Sequence, residues 1–339
     1  MTIKDIAAKC GVSVTTVSRV MNNHPYVSKE IRDKVLKVIE EEHFVPHVGA
    51  VDLVKPRTDA IGLIVRGTRN EFFNDMIPTL ESAINDSGYA FYMSQIHTSE
   101  NELRAAAALA KSKGLKGVIL LGGRYDYTPE EVAILDNVPF ICCTFTNSFG
   151  KISKESFSSV SIDDGRAAKA AVQLLIDNGH RKIAIILAST SDRSISELRF
   201  LGYKQALEEN GIPFDADLVM ETGDFSMERA YKAMKKLLSK KKEFTAAFVI
   251  SDSMAVASMK ALDDAGKKLP NDCSVIAIDG VKMTEYIIPT LTTFVQPREA
   301  MAKQTVESLR DIIENRSDYS HVVMKTTLRE GGSVKKLQN

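Results

Sequence analysis

Over residues 2–10, TIKDIAAKC, the apolar positions Ile3, Ile6 and Ala7 fall on one face of a helix. The next stretch, GVSVTTVSRVMNN at 11–23, sets Val17, Val20 and Met21 on one narrow stripe. Thr15, Ser18, Arg19 and Asn22 lie on the opposite side, with Val14 on the flank. Gly11 stands where a tight helix-to-helix turn needs positive φ, and Ser13 where a side chain can accept from the free N–H groups of the following helix. A third helix is predicted after Ser28, with Ile31, Val35, Val38 and Ile39 apolar at helical spacing. Together these make a minimal three-helix domain over 1–45. Residues 46–58, PHVGAVDLVKPRT, contain Pro46, Gly49 and Pro56, which oppose a long helix and mark a linker.

From residue 59 the rhythm changes. Short apolar runs (AIGLIV, YAFYMSQ, GVILLGG, PFICCTF) alternate with amphipathic stretches such as FFNDMIPTLESAINDSG, and the cycle restarts with KIAIILAST, AAFVISD and SVIAIDG. Buried parallel strands joined by crossover helices produce this pattern. Two successive sets predict two doubly wound α/β lobes. The expected division is 59–158 with 292–320 for the first lobe, and 159–291 with 321–339 for the second.

Charge changes the picture only locally. The chain balances 44 Lys and Arg against 44 Asp and Glu, yet residues 1–37 carry seven cations against three anions. The outer stripe of the second helix is short and polar, with one cation and no carboxylate, where an ordinary surface helix mixes Glu with Lys. Helix, turn, then such a helix is the helix-turn-helix arrangement, whose second helix enters the DNA major groove. Arg19 can contact guanine in bidentate fashion, Thr15 can hydrogen-bond a base or pack its methyl on thymine, and Val14 can make an apolar base contact. Thr16, Ser18, Asn22 and Tyr26 are placed for phosphate oxygens. The alternative that spacing and charge leave open is a three-helix protein–protein module.

In two-lobed α/β proteins ligands bind where strand C-termini face the cleft. Residues following those strands are therefore candidates: Phe72 and Phe73, Gly122 to Arg124, Thr144 and Phe145, then Arg193, Arg199, Ser251, Asp252 and Asp279. Arg66, Arg124, Arg193 and Arg199 all fall near strand ends, which opens the reading of a phosphorylated or carboxylated ligand. No phosphate loop, nucleophile elbow, zinc-protease motif or dinucleotide fingerprint is present, so no enzyme, cofactor or metal is expected. Cys10, Cys142, Cys143 and Cys273 lack metal-ligand spacing and read as reduced thiols of a cytoplasmic protein. No stretch is apolar enough to span a bilayer, and no membrane partner is expected.

IKDIAAKCGVSVTTVSRVMNN followed by VSKEIRDKVLKVIEE resembles the head of the lactose-repressor (LacI) family of transcriptional regulators. The similarity continues through AIGLIV, NEFF, GVILL, IDDGRAA, GHRKIAII, RFLGY, SVIAIDG and LTTFVQP, in the family's order. The resemblance implies a helix-turn-helix head, a hinge, and a core like type I periplasmic sugar-binding proteins. It further implies a homodimer acting on a pseudo-palindromic DNA operator under control of a sugar, sugar phosphate or sugar acid. In the family the hinge folds on DNA and wedges a leucine into the minor groove; the matching residue is Leu53, with Ala50 one turn before it. His47, Gly49 and Val51 depart from the family's hinge pattern. Arg199 and Asp279 match positions that hold effector polar groups, whereas Thr144-Phe145, Ser251 and Gly280 replace residues common in relatives. Two alternatives accompany this reading: a phosphoprotein co-repressor in place of the sugar, and a solute-binding protein.

Overall fold

The computed structural model describes residues 3–21, 27–41, 59–67 and 70–337, and the chain falls into two units, 1–58 and 59–339. The first contains α1 (Ile3–Cys10), α2 (Val14–Met21) and α3 (Lys29–Glu41). Ile6, Ala7, Cys10, Val17, Val20 and Val35 are buried together, with Val12, Val27, Ile31, Val38 and Ile39 packed against them. The expected turn is present: Gly11 sits at φ +63°, and the Val12 N–H donates to the Ala7 carbonyl at 3.0 Å. Ser13 Oγ accepts from the Thr16 N–H at 3.1 Å and so caps α2. Ser28 does the same for α3, accepting from the Ile31 N–H at 3.4 Å.

The second unit runs β1 (Ala60–Arg66), α4 (Glu71–Asp86), β2 (Ala90–Ile96), α5 (Glu102–Lys113), β3 (Leu115–Leu121), α6 (Pro129–Val132), β4 (Phe140–Cys143) and β5 (Ser158–Ile162). It continues α7 (Asp164–Asp177), β6 (Ile183–Leu187), α8 (Ile195–Glu209), β7 (Val219–Glu221), α9 (Met227–Ser239), β8 (Ala246–Val249), α10 (Asp252–Asp264) and β9 (Ser274–Asp279). The chain ends β10 (Thr292–Val295), α11 (Arg298–Ile313), β11 (His321–Met324) and β12 (Thr327–Arg329).

Two six-stranded sheets result, ordered β11-β5-β4-β3-β1-β2 and β12-β10-β9-β8-β6-β7. The first is wholly parallel; in the second, β12 alone runs antiparallel, against β10. Strand β1 shows why the apolar runs are nearly continuous. Ile61, Leu63 and Val65 face one buried cluster while Ala60 and Ile64 face another, so helices cover both sides. Strand β2 departs from this expectation: as an edge strand it leaves Met93 exposed.

The lobe boundaries also need correcting. Strand β5 lies in the first sheet, whereas the sequence reading of 159–291 assigned most of it to the second lobe. Strand β10 lies in the second sheet although 292–320 was assigned to the first, and β11 lies in the first although 321–339 was assigned to the second. In each case the chain crosses after a strand is complete, because an edge of paired N–H and C=O groups cannot be split between sheets without leaving them unsatisfied.

Candidate effector site and nucleic-acid interface

Three elements of the second lobe converge on one guanidinium. Ser194 caps α8 by accepting from the Ser196 N–H at 3.0 Å, and the Ser196 hydroxyl donates to the Ser189 carbonyl at 2.6 Å. This fixes the first turn of α8 against the end of β6 and turns Arg199 inward, where it is 1% exposed. Arg199 Nε donates to Asp164 Oδ1 at 3.0 Å, Nη2 lies 2.9 Å from the same oxygen, and Nη1 lies 3.4 Å from Asp279 Oδ1. Nη1 also donates to the Ile250 carbonyl beyond β8. Asp163 takes the capping role at α7, accepting from the Arg166 N–H at 2.9 Å, which leaves Asp164 free to face Arg199.

Asp279 closes the group from the end of β9. Gln296 holds it twice: its side-chain amide donates to Asp279 Oδ1 at 2.9 Å, and its backbone N–H to the Asp279 carbonyl at 3.1 Å. Burial pushes the Asp164 carboxyl up to about 6 against the opposing pull of Arg199, and burial raises Asp279 as well. One cation faces two carboxylates, so the cluster is acidic rather than basic. Tyr125, from the loop after β3 in the first lobe, is buried near enough for Asp164 and Arg199 to act on its phenol. Burial, and then Asp164, raise that phenol well above its ordinary value.

The arginines of the first lobe are neutralised in a similar way. Glu102, fully buried at the start of α5, lies 3.5 Å from Arg66 Nε and 4.0 Å from Arg124 Nε. It accepts from the Tyr127 hydroxyl at 2.6 Å and from the Arg124 backbone N–H at 2.7 Å. Arg124 also pairs with Glu131 and lies 3.8 Å from Asp126. Arg193 is exposed, and its backbone N–H donates to Glu197 at 2.7 Å.

Other expected site residues turn away from the cleft. Phe145 is 1% exposed and packs against Tyr125 and Tyr127, with ring centroids 5.3 and 6.2 Å away, so it belongs to the first lobe's core. Asp252 is buried too: it accepts from the Val281 N–H at 2.8 Å and the Thr293 hydroxyl at 2.6 Å, tying α10 to the loop after β9 and to β10. Ser251, not Asp252, caps α10, accepting from the Met254 N–H at 3.5 Å. Phe72 is core, under the Arg298 guanidinium 5.9 Å from its ring centroid, while Phe73 is half-buried. Thr144 is buried with its N–H on the Val160 carbonyl at 2.8 Å.

Three of the expected site residues, Thr144, Arg193 and Asp279, have strained backbone. Among the described residues, positive φ outside glycine occurs at Asp136, Asn137, Thr144, Arg193, Lys241, Asp279 and Asn315. Asp and Asn tolerate the left-handed region well. Thr144 at +75°, Arg193 at +49° and Lys241 at +53° do not, and Asp279 at +140° lies outside it altogether. Strain of this kind, about 1–3 kcal/mol per residue, persists where surrounding structure enforces it and clusters at ligand sites.

In the first unit α2 presents Val14, Thr15 and Arg19 to solvent, while Val17 and Val20 are buried. Thr16 is half-buried, with its hydroxyl 2.8 Å from that of Ser13. The side chain of Ser18, together with Asn22, Tyr26, Ala50, Leu53 and the rest of the hinge, lies outside the described residues.

Residues 2–47 match the family described as "Bacterial regulatory proteins, lacI family", and 172–334 match a periplasmic binding protein-like domain. The HTH-type transcriptional regulator MalR of Clostridium butyricum is 37% identical over 334 residues, covering 98% of this chain and 99% of its own. The chain belongs to the LacI family of transcriptional regulators. Another relative, the HTH-type transcriptional repressor PurR of Pectobacterium carotovorum, is 32% identical over 335 residues, covering 98% of this chain and 96% of its own. Among solved structures, a transcriptional regulator CelR–cellobiose complex superposes with a TM-score of 0.73 at 28% identity, covering 98% of this chain and all of that one. Membership gives the two parallel-sheet lobes and the helix-turn-helix head their roles as regulatory core and DNA-binding module.

Sequence reasoning did not single out Glu102, Tyr125, Asp164 or Gln296. Asp164 and Gln296 stand inside IDDGRAA and LTTFVQP, so their signal was in stretches already recognised. Nothing in the sequence marks Glu102, because an Asn-Glu start of a helix is equally good as a solvated first turn.

Proposed function

We propose that this LacI-family protein is a homodimeric repressor whose operator affinity is set by a neutral sugar bound between the core lobes. The observation carrying this reading is the charge balance around the cleft. Arg199 lies between Asp164 and Asp279, Arg124 is paired with Glu131 and Glu102, and Arg66 is paired with Glu102. An anionic ligand would meet these carboxylates, whereas sugar hydroxyls can donate to them and accept from Gln296 and Arg199. Phe73 and Tyr125 supply apolar faces for ring C–H groups. The cellobiose in the CelR complex is a ligand of this class. The phosphorylated or carboxylated effector is therefore disfavoured.

DNA binding in this reading uses Arg19, Thr15 and Val14 for base edges and Thr16, Ser18, Asn22 and Tyr26 for phosphates. Leu53 and Ala50 of the hinge enter the minor groove of a pseudo-palindromic operator. Sugar binding favours one angle between the lobes, and a few kcal/mol of differential affinity suffices to shift operator occupancy.

Thermal unfolding of the whole protein against neutral mono- and disaccharides, their phosphates and the corresponding acids tests this. A neutral sugar at about a hundred times its Kd should stabilise the core by roughly 2.7 kcal/mol, and the shift should shrink in Gln296→Ala. A response confined to phosphates or acids would overturn the proposal, and silence across the panel would favour a protein co-repressor.

A further inference from the structure

A cavity lies at the opposite end of the second lobe's sheet. Strands β6, β8 and β9 run parallel, so their N-termini share one edge, remote from the edge that carries Arg199 and Asp279. Residues immediately preceding these three strands, with the ends of α9 and α10, surround a cavity of about 680 Å³. That volume matches sites for small organic ligands rather than for a single ion. Leu238, Leu262, Phe244 and Leu337 give the cavity an apolar part.

Its rim is basic. Five cations line it against two carboxylates, Glu243 and Asp272. Part of that charge has local work. Arg181 donates to the Ile176 and His180 carbonyls at 2.8 and 3.0 Å, Lys182 pairs with Glu243, and Lys242 lies 2.8 Å from Asp215. Asp272 in turn accepts from the Lys268 N–H at 2.7 Å. The C-termini of α7, α9 and α10 point to this edge, and each adds about half a negative charge. Counting Asp215 against Lys242 leaves an excess of two cations, of which the three helix ends together offset about three-quarters, so the remaining positive charge is small and sits with Lys241 and Lys267. Lys241 and Lys267 make no ion pair among the described residues.

We propose that this cavity is a second ligand site, for a nucleoside polyphosphate or an anion of that class: phosphates on Lys241 and Lys267, and a flat apolar body against Phe244 and the leucines. It is independent of the sugar cleft, so the two sites fail or succeed separately. A regulator with both would read a sugar at one edge of the sheet and a phosphorylated metabolite at the other.

The test is isothermal titration of the whole protein, without DNA, with ATP and with inorganic tripolyphosphate at constant ionic strength. Wild type is compared with the double variant Lys241→Glu/Lys267→Glu and with Lys235→Glu, which makes the same kind of charge change outside the cavity. Because all three proteins keep the basic head, any polyanion binding there is common to them. The expected result is ATP binding in wild type and Lys235→Glu, weakened about tenfold for each lysine lost in the double variant. Tripolyphosphate should bind more weakly than ATP. Equal ATP affinity in all three proteins, or none in wild type, would overturn the site. Equal affinity for ATP and tripolyphosphate would overturn the apolar half of the proposal. Circular dichroism of the double variant checks folding, which two exposed lysines should not disturb.

Discussion

Arg199 concentrates the residue-scale argument. Among the described residues its guanidinium is the only cation within 4 Å of both Asp164 and Asp279, and all three are buried. Arg199→Ala leaves two buried carboxylates without their partner, which costs about 3–5 kcal/mol in comparable pairs. Urea unfolding should show that loss without any ligand present; a variant as stable as wild type would mean that the charges find other partners. Asp252 gives a pH signature. Burial, with Asp279 adding to it, pushes its carboxyl from 3.8 to about 7. A raised carboxyl pKa favours the protonated folded state, so its stabilising contribution is full below about pH 4 and is lost as pH rises through 7. Asp252→Asn cannot ionise, so stability measured from pH 4 to 8 should fall less steeply in the variant than in wild type. Parallel curves would show that Asp252 does not titrate there. Both residues follow strand ends, and position is what sequence shows. Whether a side chain at a strand end faces the cleft or the layer beneath depends on local backbone angles, which is why Arg199 was legible and the interior roles of Phe145 and Asp252 were not.

At the scale of elements, caps and periodicity were informative because they are local. Ser13 and Ser28 cap the helices that their positions predict, and Gly11 takes the positive φ that the turn demands. The lobe crossings were less legible, since β5, β10 and β11 look like any other apolar run, and their sheet is decided by long-range pairing. Gly280 shows an element-scale constraint behind a departure from the family pattern. It sits at φ +77° after β9, and a Cβ there would lie 2.6 Å from Val295 Cγ1 and 2.8 Å from Val295 Cα. Gly280→Asp should therefore destabilise the core by about 2–4 kcal/mol through strain and overpacking. A thermal melt unchanged by the substitution would show that β9 and β10 can separate at little cost.

For the whole molecule, a small head, with six buried apolar side chains among its described residues, and a large two-lobed core divide recognition from regulation. Family membership was readable from ordered motifs along the whole chain, while the effector class emerged only when the pairing of each arginine was known. DNA selected from random duplexes by the full chain, then titrated by fluorescence anisotropy with and without neutral disaccharides, tests that division most directly. The account predicts a pseudo-palindromic site, and at least one neutral sugar that changes its affinity about tenfold or more, equivalent to about 1.4 kcal/mol of coupling. Selection of no specific sequence, or a selected site whose affinity no neutral sugar alters while a sugar phosphate does, would contradict it.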